Sequence, residues 1–278
     1  MWSLPPPGVS AANAYGVCIS RVRDRPTKAR LASIIGEIAE ASRSFERHMR
    51  AGDFCSIPAS QSVGSVRGDE LRALYTDRLV PLRGPGRAIY DALVSATPNG
   101  KCPLCGHRQA VTLDHFLPKS RYAALAVAPL NLVPCCTECN HAKRDIAPTR
   151  DDEVTLHPYF DAVDGERWLY AEVVEIPPTT VRFLVQPPSH WNSQLSARVR
   201  YHFKVLDLPK LYRLQAAEEL LNRRFGLEKV LRNGGWREVS RLLSLEADSR
   251  ERVRRNSWQT ALYSAWSQSE WFCQGGFL

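Results

Sequence analysis

Two C-x-x-C turns, Cys102–Cys105 and Cys136–Cys139, constrain this chain more than any other feature. Each turn brings two thiolates to one side of a metal, and two turns complete a tetrahedral four-cysteine site. That expectation fixes a contact between segments about thirty residues apart, whatever the rest of the chain does. Zinc is the expected ion, and four sulfurs leave it no open position, so its role is structural. Cys135 is the spare thiol, because the spacing to Cys139 favours Cys136. The eight cysteines are unevenly spread, with five between positions 102 and 139, which argues against a secreted disulfide framework.

The rest of the composition is that of an ordinary globular protein of 278 residues, 44% hydrophobic and 24% charged. No apolar run approaches the length of a membrane span. The start, MWSLPPPGVS, lacks the basic region of a secretory signal, so a cytoplasmic location is expected. Formal net charge is +8, but its distribution is more informative than its total. Residues 101–150 carry seven basic against three acidic side chains, whereas residues 151–200 carry four against eight. A polyanionic partner near the metal frame is the reading.

Residues 1–26, rich in Pro and small residues, read as loosely ordered. Helical periodicity runs from Pro26 to Met49, then from Asp69 to Leu79 and Gly86 to Val94, with residues 52–67 a loop. Ala110–Leu117 and Leu130–Pro134 read as short strands, and Glu138–Asp145 as a helix. Trp168–Ile176 and Thr180–Val185 read as two strands, followed by helices over Tyr201–Leu208, Leu211–Leu227, Trp236–Leu245 and Val253–Phe272. The expected regions are a helical one over 1–97, a compact core over 98–150, and a β-hairpin plus helices over 151–278. The fold class is α+β.

Within the metal frame stand Asp114-His115, Asn131, and Asn140-His141. A carboxylate and an amide oxygen suit a hard divalent ion such as Mg2+. A neutral histidine suits proton abstraction from water. A regular strand would aim Asp114 and His115 at opposite faces unless a bulge turned both to one site. Lys119 and Lys143 flank the expected cleft and are candidates for phosphate contact.

The string C-P-L-C, L-D-H-F-L-P-K-S, N-L-V-P-C-C-x-x-C-N-x-x-K resembles the HNH endonucleases, over about 45 residues. The resemblance implies a ββα-metal core with a structural four-cysteine zinc, embedded in a mostly α-helical protein. It implies hydrolysis of phosphodiester bonds in DNA, with His115 as general base and Asp114 as first ligand of a catalytic Mg2+ or Mn2+. Asn131 matches the central asparagine that fixes the loop and helps orient the base. Asn140 matches the second ligand, with His141 as its rival. More loosely, the order of motifs, with L-H-P-Y-F at 156–160 and a helical tail, resembles Septu-type anti-phage defence nuclease subunits. That implies an ATPase partner. The chain has no G-x-x-x-x-G-K-[ST] of its own. An RNA substrate such as tRNA, or a zinc-built nucleic-acid-binding module without catalysis, are the alternatives.

Overall fold

A computed structural model describes residues 1–278. The chain is α+β, with helices predominating and three small antiparallel hairpins, and it divides into two compact units, 1–162 and 163–278. The segments expected as separate regions over 1–97 and 98–150 pack as one unit. No helix is long and apolar enough to cross a membrane.

The first unit begins with order, not slack. Met1, Trp2 and Leu4 are buried, and Trp2 N–H donates to the Pro103 carbonyl at 2.9 Å beside the first C-x-x-C. Helix α1 (Ala11–Ile19) follows, capped by the Ser10 hydroxyl. Prolines suggested looseness here, but large apolar anchors between them decide the packing. The expected single helix from Pro26 to Met49 is two, α2 (Arg25–Ser33) and α3 (Ile35–Ala51). Gly52, at φ 73°, closes α3 by donating to the His48 and Met49 carbonyls. The expected loop over 52–67 contains a minimal hairpin, β1 (Ser62–Val63) with β2 (Val66–Arg67). Then come α4 (Gly68–Leu74), which runs into a π-helical turn over Tyr75–Leu79, and α5 (Arg87–Ser95).

The segment holding the motifs is strand, loop, strand, helix. Strand β3 (Thr112–His115) pairs antiparallel with β4 (Leu132–Cys135), in the register Asp114 to Val133 and His115 to Leu132. Helix α6 (Thr137–Lys143) follows at once, with Cys136 as its N-cap.

The L-H-P-Y-F string holds this hairpin from behind. His157 is fully buried, with Nε2 3.1 Å from the Leu130 carbonyl and its ring 4.4 Å from that of Phe116. The Tyr159 hydroxyl donates to the Leu132 carbonyl at 3.1 Å. Phe45 on α3 packs edge-on against both Phe116 and Phe160. A buried histidine is tolerable because its polar atoms find backbone partners.

The second unit pairs β5 (Leu169–Val174) with β6 (Thr180–Val185) and adds α7 (Ser193–Val205), α8 (Leu208–Val253) and α9 (Trp258–Gln268). Asn192 caps α7, which starts earlier than the expected Tyr201. Helix α8 is not straight. Arg223 and Glu246 would lie ~35 Å apart along an unbroken helix, yet they form an ion pair at 2.9 Å. The chain doubles back at Gly235, where φ 71° and ψ −178° suit glycine alone. The two expected helices, Leu211–Leu227 and Trp236–Leu245, are its two arms. Trp258, Leu262 and Trp266, four residues apart on α9, are buried and form an apolar core stripe.

Candidate active site

Two polar clusters grow from the β3–β4–α6 segment. The first is the cysteine quartet. The metal-ligating atoms of Cys102, Cys105, Cys136 and Cys139 lie within 4.8 Å of one another, and all four residues are buried. Tetrahedral zinc with Zn–S near 2.3 Å needs sulfurs ~3.8 Å apart, so the set fits a structural metal such as zinc. Local backbone builds each half. Cys102 N–H donates to the Arg108 carbonyl at 2.7 Å, and Gly106, at φ 66°, turns the first C-x-x-C. Cys139 N–H donates to Cys136 Sγ at 3.4 Å in the second. Mutual hydrogen bonds pull the thiols apart in acidity: Cys105 and Cys136 are held low, Cys102 and Cys139 high. A cation displaces those shared protons. Cys135 points its chemistry elsewhere: it lies in β4 opposite Thr112, and burial pushes its thiol up. His107 is not among the clustered ligands.

The second cluster lines a cleft of about 1000 Å³. Asp114, His115, Lys119, Asn140 and His141 all reach it, although they come from a strand, a loop and a helix. The ladder pairing runs unbroken through both Asp114 and His115, yet both meet the cleft. His115 is the last residue of β3, and the Phe116 N–H, donating to the Asn131 carbonyl at 2.9 Å, extends the same register by one more pair.

His115 is buried, and its Nε2 lies 2.8 Å from the Ala126 carbonyl. A carbonyl only accepts, so Nε2 carries the proton and Nδ1 holds the lone pair. Burial, against the help of that hydrogen bond, pushes the imidazole down to about 3, with Lys119 and Lys143 adding repulsion. The ring is therefore neutral. Tyr75 packs edge-on to it, with centroids 4.4 Å apart, and is itself tied by its hydroxyl to the Leu113 carbonyl at 3.1 Å.

Asn131 does not touch the cleft. It is fully buried, accepting from Leu117 N–H at 2.8 Å and donating to the Leu117 and Leu125 carbonyls at 3.0 and 3.3 Å. It thereby stitches both ends of the loop that carries the Ala126 carbonyl, the atom that orients His115.

Lys143 is also absent from the cleft lining. Its ammonium is nearly buried, 2.8 Å from each of the His115 and Phe116 carbonyls and 3.0 Å from Asp114 Oδ2. Two carbonyls and one carboxylate thus hold it inside the protein, off the cleft lining. The Asp114 pair is an ion contact without hydrogen-bond alignment, since Oδ2 is buried with no hydrogen-bond partner. Burial raises the Asp114 carboxyl, and Lys143 opposes it. Asn140 is half-buried and His141 exposed, so Asn140 sits deeper.

Several lining residues lie outside the motifs: Arg72, Tyr75 and Thr76 from α4 and its π-turn, Tyr90 from α5, and Arg144 directly after α6. Only the helical spacing of Arg72, Tyr75 and Thr76 could have grouped them in sequence, and nothing there ties them to a segment about forty residues on. Arg144 adopts φ 59° and ψ −176°, a region that costs a non-glycine residue about 1–3 kcal/mol.

No protein-family profile matches the chain, and no solved structure matches it. Protein ea31 of Escherichia phage lambda is 31% identical over 232 residues, covering 78% of this chain and 78% of the phage protein.

Proposed function

The chain belongs to one family with the phage lambda protein ea31, and from its own motif and cleft residues we propose that it is a metal-dependent HNH endonuclease that hydrolyses phosphodiester bonds in DNA. The observation that carries the reading is His115: a buried, neutral imidazole, its tautomer fixed by the Ala126 carbonyl, beside a carboxylate and an amide on one cleft. A binding module would not need a lone-pair nitrogen so arranged.

His115 Nδ1 takes a proton from water as the water oxygen attacks phosphorus. The bond from phosphorus to the 3′ oxygen breaks, and that oxygen takes a proton from solvent, giving 5′-phosphate and 3′-hydroxyl ends. Asp114 and Asn140 would hold Mg2+ or Mn2+, which would supply Lewis-acid chemistry at the scissile phosphate. Asn131 and Tyr75 act through His115, one through the loop and one through the ring, and are positioning residues. Lys119 is the phosphate contact from the β3–β4 loop. The four-cysteine site holds zinc and takes no part in the chemistry. An effector role beside an ATPase partner is proposed with it on motif order alone.

The test is incubation of the full chain with supercoiled plasmid and, separately, with total RNA, each with Mg2+ and with EDTA. Nicking of plasmid in Mg2+ alone is expected. Cleavage confined to RNA would move the substrate, and no cleavage of either would remove the enzyme reading.

A further inference from the structure

We propose that Arg144, with Arg72, forms a clamp on the phosphates flanking the scissile bond; this rests on the nuclease reading above. With Lys143 committed inside the protein, the cations left on the cleft are Arg72, Lys119 and Arg144. Lys119 sits over the Tyr75 ring at 5.1 Å. Neither Arg72 nor Arg144 forms an ion pair, although the unit's other arginines commonly do: Arg30 with Glu70, Arg50 with Glu46, Arg87 with Asp91. The carboxylates on the cleft are Asp114 and Asp145, and Asp114 is already paired with Lys143.

The backbone gives a second, independent sign. Arg144 and Gly235 have nearly the same conformation, φ 59° and ψ −176° against φ 71° and ψ −178°. At 235 the chain uses glycine, which adopts it freely. At 144 it keeps an arginine whose side chain contacts no carboxylate in the protein. Strain held at a residue with no internal partner is strain held for an external one, and the cleft it lines supplies the place. Arg72 comes from α4 just before the π-turn that carries Tyr75, and such turns often mark functional sites. A guanidinium from each side of the chain's motif segment, one before it and one at its end, matches bidentate recognition of phosphate.

The experiment measures binding of a duplex DNA oligonucleotide to the full chain in EDTA, over a series of salt concentrations, with thermal melting on the same samples. Each lost phosphate contact makes the salt slope shallower by about 1. Arg144→Gly is expected to melt no lower than wild type, to bind several-fold more weakly for every sequence tried, and to lose about one unit of slope. Arg72→Ala adds a further loss of about one, and Arg144→Lys, which keeps the charge and the strain, restores most of the slope. Wild-type affinity and slope in Arg144→Gly, or no recovery in Arg144→Lys, would overturn the clamp while leaving plasmid cleavage by the wild type intact. Absence of salt-dependent binding by the wild type itself would overturn clamp and nuclease together.

Discussion

The cleft of the first unit and the helical part of the second treat positive charge differently. In the second unit, several arginines are neutralised on the spot: Arg223 and Arg250 both pair with Glu246, Arg241 with Glu238, and Arg255 with Glu251. Arg250 also lies over the Tyr263 ring at 4.0 Å. Of the run Arg250, Arg252, Arg254, Arg255, Arg250 and Arg255 are held in ion pairs within the unit. In the first unit, Arg72 and Arg144 line the same cleft as a buried carboxylate and imidazole and form no ion pair. Net charge is therefore a poor guide to where a polyanion binds. Pairing is the better one, because an ion pair already made must be broken before a phosphate can use it.

The largest expected effect breaks the frame that holds the cleft. Cys102→Ser should take metal content, read by elemental analysis, from one ion per chain to none, and the first unit should melt far below its normal temperature. Structural zinc supplies on the order of 10–16 kcal/mol in small domains. Cys135→Ser, one residue from a ligand, should keep the metal; loss of metal in both would reassign the quartet.

A smaller effect sharpens the contrast between units. Arg250→Ala removes a partly exposed ion pair and a cation–ring contact, so stability should fall by about 1–2 kcal/mol, read by chemical denaturation. DNA affinity and its salt slope should not change. A shallower slope would mean that the second unit's arginines also meet phosphate.

What could be read from the sequence follows from how local the physics is. The C-x-x-C turns, the Asp114-His115 pair and the order strand, loop, strand, helix were legible, since each depends on residues a few positions apart. So were the arms of α8, whose Gly234-Gly235 interrupts the helical pattern. Lys143 misled, because an exposed and a buried lysine look alike in sequence. Only the fold reveals that the carbonyls of His115 and Phe116 turn toward it. The order of residues 1–5 was hidden for a similar reason: the partners of Trp2 and Leu4 are Pro103 and Pro158, far along the chain. Arg72 and Arg144 reach one cleft through tertiary packing, which no spacing rule expresses.

The central claim is that His115 is the base of a phosphodiester hydrolase, and His115→Ala tests it most directly. Single-turnover nicking of plasmid in Mg2+ should slow by about 10²–10⁴-fold, with metal content and DNA affinity, measured on the same preparation, equal to wild type. Nicking at the wild-type rate by a variant that keeps its metal and its DNA would contradict the account.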